Sequence, residues 1–258
     1  MQIHDEKLSD ITRYIDKQRL LPLEEWDPFF RNYFRYVEKF INIGPETRIL
    51  EIGPGPGWFP IMCKLKGLNC KGLEISPQLV EFAMELGHKH GVEPDIELGN
   101  LEDSDIGIAQ YDLIIASSVF EHVEHWRKGI QKIFAALRPG GVLYFISTNK
   151  FSVFKSGEYD FPLYGWLPDQ WRYKMRIARQ GPDIMKLGID FNQFRYPLLR
   201  REFGKAGFSQ IHDKVDLYSP DEGSAGWKKT VGQLCKSVPP LRHTALTFTD
   251  ATMFVCVK

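Results

Sequence analysis

Apolar positions along this chain switch between two periods, and the switching predicts a layered α/β fold. Trp26, Phe29, Phe30, Tyr33, Phe34, Val37, Phe40 and Ile41 recur at helical spacing, which predicts an amphipathic helix docked on the domain by core packing, a kind of helix that can also close over a pocket. Short apolar runs follow at Arg48–Ile52, Lys71–Ile75, Asp95–Leu98 and Tyr111–Ala116. Each reads as a strand, and helical patterns separate them, as in a parallel sheet covered on both faces. Ser76-Pro77 supplies an N-cap and a proline at the first helical position, and Gly91 can end that helix. A helix to about Leu137 is expected after the fourth strand, then a break at Arg138-Pro139-Gly140-Gly141 and a fifth strand at Val142–Ile146. Leu198–Ala206 reads as a helix, Phe208–His212 as a sixth strand and Thr252–Val257 as a terminal one. Residues 214–246 are poorly patterned and are expected to form an irregular excursion.

Composition narrows the class. With 258 residues, 43% of them hydrophobic and 26% charged, the chain can bury one substantial core and carry an insertion. Lys plus Arg and Asp plus Glu both number 33, so nucleic acid is not an expected partner through bulk charge. Cys63, Cys70, Cys235 and Cys256 lack the close paired spacing of a zinc site or a disulfide framework, and buried reduced thiols are expected. MQIHDEKLSD has neither the basic start nor the apolar run of a signal peptide, and no stretch approaches membrane-spanning length. A cytoplasmic location with no membrane span is the expectation.

The chemistry begins where the first strand ends. Glu51 closes an apolar strand, and Gly53, Gly55 and Gly57 follow it with Pro54 and Pro56 between them. Glycines leave no side chain between the backbone and a ligand, and a helix N-terminus beyond such a loop attracts carboxylates, phosphates and other acceptors. The dinucleotide fingerprint requires its third glycine three residues after the second; that position is Trp58. This loop resembles the first motif of the class I S-adenosylmethionine (SAM)-dependent methyltransferases, and the resemblance runs over roughly residues 47 to 148.

The resemblance implies a Rossmann-like class I fold, with a seven-stranded, mostly parallel sheet, an antiparallel last strand and helices on both faces. It implies SAM as cofactor, with Glu51 ordering the loop and the backbone of Gly53, Pro54, Gly55 and Gly57 along the methionine part. Pro54 stands where the family often has Cys or Ala, and the two prolines remove two amide donors. Glu74 would accept from a ribose diol while Ile75 packs on the adenine. Asn100 would bond the adenine amino group, with the backbone of Leu101 reaching the ring; a plain surface turn is the alternative for that stretch. Ser117 and Ser118 would flank the amino-acid end. His122, in a run that resembles the family's "EHV", would face the methyl group as general base, or else order the loop as a helix-entry histidine. An imidazole of ordinary pKa suits proton uptake from an alcohol or phenol. His125 is the weaker candidate, and no metal site is expected.

Beyond the fifth strand, Phe151, Phe154, Tyr159, Phe161, Tyr164, Trp166, Trp171 and Tyr173 crowd an insertion that suits a lid or substrate wall, although packing on the sheet accounts for most such residues. The run looks like that of bacterial methyltransferases acting on quinone precursors, sugars and natural products. Residues 172–205 hold nine basic and three acidic residues, which would bind a phosphate or carboxylate on a small-molecule substrate or form a solvated helical face. The expected organisation is a single domain: a helical cap (1–46), a cofactor-binding core (47–148), the aromatic insertion (149–193) and C-terminal strands and loop (194–258). Methyl transfer to a small-molecule or lipid- or sugar-linked acceptor, at oxygen, is the expected activity. A catalytically degenerate SAM-binding protein and an NAD-dependent oxidoreductase are the alternatives.

Overall fold

Burial with a period of two in the strands builds two cores on one sheet. In β4 (Tyr111–Ser117) and β5 (Leu137–Thr148), Leu113, Ile115, Val142 and Tyr144 face one side while Ile114, Leu143 and Phe145 face the other. Successive side chains of a strand point to opposite faces, so near-continuous apolar runs require a cover on both. The computed structural model describes residues 11–154, 162–180, 192–218 and 226–258. Its sheet also contains β1 (Arg48–Ile52), β2 (Asn69–Glu74), β3 (Asp95–Leu98), β6 (Gln210–Asp213) and β7 (Ala251–Val257), in the order β3-β2-β1-β4-β5-β7-β6. β7 runs antiparallel to β5 and β6, and the other pairings are parallel.

Helices α2 (Asp27–Val37), α3 (Trp58–Leu65) and α4 (Pro77–Lys89) pack on one face, and α1 (Thr12–Arg19) precedes them. On the other face lie α5 (Trp126–Ala136), α7 (Tyr196–Ala206) and α10 (Pro239–Phe248), and α6 (Asp169–Gln180) belongs to the insertion. The Ser76 hydroxyl caps α4 by accepting from the Leu79 amide, with Pro77 in its first turn. Tyr159 and Phe161 lie outside the described residues, as do parts of the 172–205 basic stretch and residues 219–225.

Three expectations need correction. The described residues of the 214–246 region are largely helical, in α8 (Lys214–Leu217), α9 (Gly226–Ser237) and α10. Polar contacts hold much of it, with Arg242 donating to Asp213 at 2.5 Å and Asp216 at 2.6 Å, and such contacts leave no apolar period to read. The glycine-proline break falls inside β5, where a register irregularity between Tyr111 and Leu113 lets the strand begin at Leu137. The helix after β4 starts late, because Phe120–His122 form a separate 3₁₀ turn before α5.

Candidate functional site

Strand order reverses at β1, which lies between β2 and β4. Open α/β sheets bind ligands at the carboxyl ends of strands beside such a switch point. A cavity of about 850 Å³ opens there. Glu51, Gly53, Pro54, Gly55, Glu74, Ile75, Asn100, Leu101, Ser117, Ser118 and His122 all line it, so residues spread over more than seventy positions meet around one space. Gly57 does not line it. Gly57 caps α3 in the left-handed region at φ +77°, and a Cβ there would collide with Ala83. Gly53 has φ +66°, and its Cβ would lie 2.6 Å from Val119 Cγ2; the loop therefore tolerates no side chain at either position. At Gly55 the corresponding space is open, which leaves room for a ligand against the backbone.

Glu74 is 4% exposed and ties two loops together. Its carboxylate accepts from the Gly55 amide at 2.9 Å and the Ser76 amide at 3.0 Å. Burial raises its pKa, while amides of Ser76, Gly55 and Ile75 and the nearby His122 oppose the rise. Glu51 is equally buried, but among the described residues its Oε2 has no hydrogen-bond partner. Burial, and then the neighbouring Glu74, push Glu51 up to about 8. An orphaned carboxylate oxygen at a cavity wall suits a cationic or hydrogen-donating ligand group. Together with the open space at Gly55, it fits the amino-acid end of SAM.

The remaining predicted residues close the ring. Asn100 Oδ1 accepts from the Glu102 amide at 2.9 Å, an Asx turn that holds one lone pair and leaves the other. Ser118 has φ +52°, a strained conformation for a residue with a side chain, and its amide donates to Ile146 at 2.9 Å. His122 sits in the 3₁₀ turn, its amide bonded to the Val119 carbonyl at 3.0 Å. His125 is not a lining residue; its amide donates to Glu102 at 2.6 Å. Among the described residues no group of three His, Cys, Asp or Glu is placed to hold a metal. The four cysteines are free and buried.

Sequence comparison places this pocket in a known family. A protein-family model described as "Methyltransferase domain" matches residues 24–213. The chain belongs to this methyltransferase family. It is similar to a ubiquinone biosynthesis O-methyltransferase of Methylobacterium sp. (strain 4-46), 28% identical over 135 residues that cover 49% of this chain and 53% of that protein. It is also similar to a malonyl-[acyl-carrier protein] O-methyltransferase of Enterobacter lignolyticus, 31% identical over 100 residues, or 38% of each chain. The chain thus spans about half the length of the first relative and less of the second. A SAM-dependent methyltransferase from Mesorhizobium loti has a similar structure, with TM-score 0.58 at 17% identity over 92% of this chain and all of that one. The fold is that of the class I SAM-dependent methyltransferases.

The cavity extends past the predicted ring to walls built by the N-terminal helix and the insertion. Trp58 stacks on Trp26 with centroids 5.0 Å apart, and both line the cavity with Tyr14, Phe29, Asn32 and Tyr33. The spacing of Trp26, Phe29 and Tyr33 announced a packed helix face; in the fold that face, from the N-cap Trp26 to mid-helix Tyr33, also lines the pocket. The Tyr33 phenol meets Ser117 and lies near Glu51, and burial holds its proton well above the usual range. On the opposite side the insertion contributes Phe154, Tyr164 and Arg176, while Trp166 and Trp171 remain half exposed. Beside His122, Glu121 is fully buried and accepts from the Ser147 hydroxyl at 2.6 Å. Among the described residues no helix is long and apolar enough to cross a membrane.

Proposed function

We propose that this protein transfers the methyl group of SAM to an oxygen of a small-molecule acceptor, with His122 as the base. The observation that carries the proposal is convergence: the Gly53–Gly55 loop, Glu51, Glu74, Asn100 and His122 line one cavity. When bound, SAM supplies a methyl group on a sulfonium sulfur, which an attacking oxygen displaces in line. Glu51, Gly53, Pro54 and Gly55 would hold the amino-acid end with Ser117 and Ser118 beside it. Glu74 would hold the ribose, and Ile75, Asn100 and Leu101 the adenine, while Gly57 supports the loop from behind. An acceptor hydroxyl would lose its proton to the His122 imidazole as the new C–O bond forms. Orientation supplies most of the acceleration in such a displacement, and base catalysis adds roughly 10²–10⁴-fold. The similarity to two proteins named as O-methyltransferases supports oxygen as the acceptor atom. In this assignment residues 1–46 form a cap, 47–148 the cofactor-binding core, 149–193 the acceptor-side wall and 194–258 the closing strands and helices.

The test is calorimetric titration with S-adenosylhomocysteine (SAH), with NADH as control, followed by methyl transfer from labelled SAM to a panel of phenols and carboxylic acids. Micromolar SAH binding with label appearing on an acceptor oxygen is the expected result. Binding without transfer to any acceptor would favour a protein that holds SAM without turnover. Binding of NADH instead would overturn the assignment.

A further inference from the structure

The glycine loop offers a ligand space but almost no donors. The Gly53 amide donates to the Leu73 carbonyl at 2.9 Å, the Gly55 amide to Glu74 at 2.9 Å and the Gly57 amide to the Pro54 carbonyl at 3.0 Å. Pro54, Pro56 and Pro60 carry no N–H. The Ile61 amide donates to the Gly57 carbonyl at 3.1 Å, and Phe59 does not line the cavity. Along residues 53–61, the Trp58 amide at the start of α3 is the main-chain donor that remains to a cavity-lining residue.

The amino-acid end of SAM is a zwitterion, with an ammonium and a carboxylate on one carbon. Glu51 Oε2, without a partner among the described residues, suits the ammonium. An ionised carboxylate presents about four lone-pair sites, so one amide leaves it under-satisfied and side chains must supply the rest. Tyr33 stands where such a donor is needed. Its ring packs against Trp58 at 5.7 Å, Phe59 at 5.5 Å and Tyr144 at 4.9 Å between centroids. Its phenol lies beside the Ser117 hydroxyl and near Glu51, and all three residues line the cavity. Burial, and then Glu51, hold the phenol proton in place against the opposing effect of Ser117, so the group acts as a donor and not as a base. A ring already packed loses little further freedom when a ligand binds. Arg176 belongs to the insertion wall and interacts within the protein. Beside β1 and β4, an acceptor and two hydroxyl donors therefore stand together, as an α-amino acid requires.

We infer that Tyr33, from the N-terminal cap, donates its phenol hydrogen bond to the carboxylate of the bound cofactor, with the Ser117 hydroxyl as a second donor and the cofactor ammonium on Glu51. The inference rests on the methyltransferase assignment above. It makes α2 part of the cofactor site and gives the cap the donor role that the prolines and the spent amides deny to the loop.

The experiment titrates the full chain calorimetrically with SAH and with decarboxylated SAH, which keeps the amine and the adenosine. Tyr33→Phe, which removes only the hydroxyl, should weaken SAH about tenfold and change the affinity for the decarboxylated analogue by no more than about twofold. A purely structural role would weaken both ligands alike, and that result would overturn the inference. So would an SAH affinity unchanged in Tyr33→Phe, which would assign the carboxylate to other donors. If Tyr33→Phe does not fold, Ser117→Ala carries the same test: loss confined to SAH supports the inference, and equal or no loss overturns it. In each of these cases SAH binding by the wild-type chain leaves the methyltransferase assignment standing. Failure of the wild-type chain to bind SAH would overturn both.

Discussion

Glu51 and Glu74 end adjacent strands, and both are buried, yet their bonding differs. Glu74 spends both oxygens on loop amides, whereas Glu51 keeps one oxygen without a partner among the described residues. With Glu51 raised from 4.5 to about 8, the folded protein holds a proton across a window in which the unfolded chain releases it. Stability contributed by this site is therefore present below the unfolded pKa and is lost as pH rises through the folded one. Glu51→Gln should flatten that fall and be more stable than wild type at pH 8, by something on the order of a few kcal/mol. Urea melts at pH 5.5 and 8 measure it; parallel slopes for the two proteins would count against a protonated Glu51. Glu74→Ala should weaken SAH binding by about 1–3 kcal/mol through lost charge-assisted bonds, and an unchanged calorimetric Kd would remove Glu74 from the cofactor site. His122→Ala should keep SAH affinity nearly intact while turnover falls by roughly 10²–10⁴-fold. Turnover that is equal to wild type across the pH range would remove His122 as base. Glu51 and Glu74 were legible as candidates because each lies at the end of a strand marked by apolar residues, and His122 because of the run that follows β4. Tyr33 and Arg176 were not singled out, since a residue in a helical pattern carries no mark of which neighbour it meets.

At the scale of elements, Asn149 joins what the chain order separates. It follows β5, and its side-chain amide donates to the carbonyls of Thr247 at 3.0 Å and Thr249 at 2.9 Å, while its oxygen accepts from Phe151. One buried side chain thus anchors the start of the insertion to the turn between α10 and β7. Asn149→Ala should cost about 1–3 kcal/mol, because it strands buried carbonyls. Urea denaturation of this variant checks the prediction, and a loss under about 0.5 kcal/mol would mean that the turn is held by other bonds. β1 and β4 were placed closely from sequence because their apolar runs are nearly continuous and bounded by turn residues, and β3 by the short alternation of Asp95-Ile96-Glu97-Leu98. Helices α8 to α10 were not, since ion pairs such as Arg242 with Asp213 and Asp216 hold them. The early start of β5 was hidden because a Pro-Gly-Gly stretch signals a break, and only pairing with β4 and β7 makes it part of a strand.

For the whole molecule, ligand binding should act as a stability term. SAH at 100 times its Kd should add roughly 2.7 kcal/mol, or several degrees at about 2–4 °C per kcal/mol for a domain of this size. Thermal melts with SAH and with NADH measure this. A shift produced by NADH alone would contradict the assignment, and equal shifts would point to nonspecific binding. The sequence by itself determined the sheet, the glycine loop, the strand-end carboxylates and the family, because these depend on local periodicity and on spacing within a few residues. Only the tertiary structure decided that the N-terminal aromatics and Arg176 share a cavity with His122, that Gly57 stands behind that cavity, and that Glu51 is left with an unmatched oxygen among the described residues. These outcomes depend on contacts between distant segments, whose burial and partners arise only when the folded sheet brings those segments together.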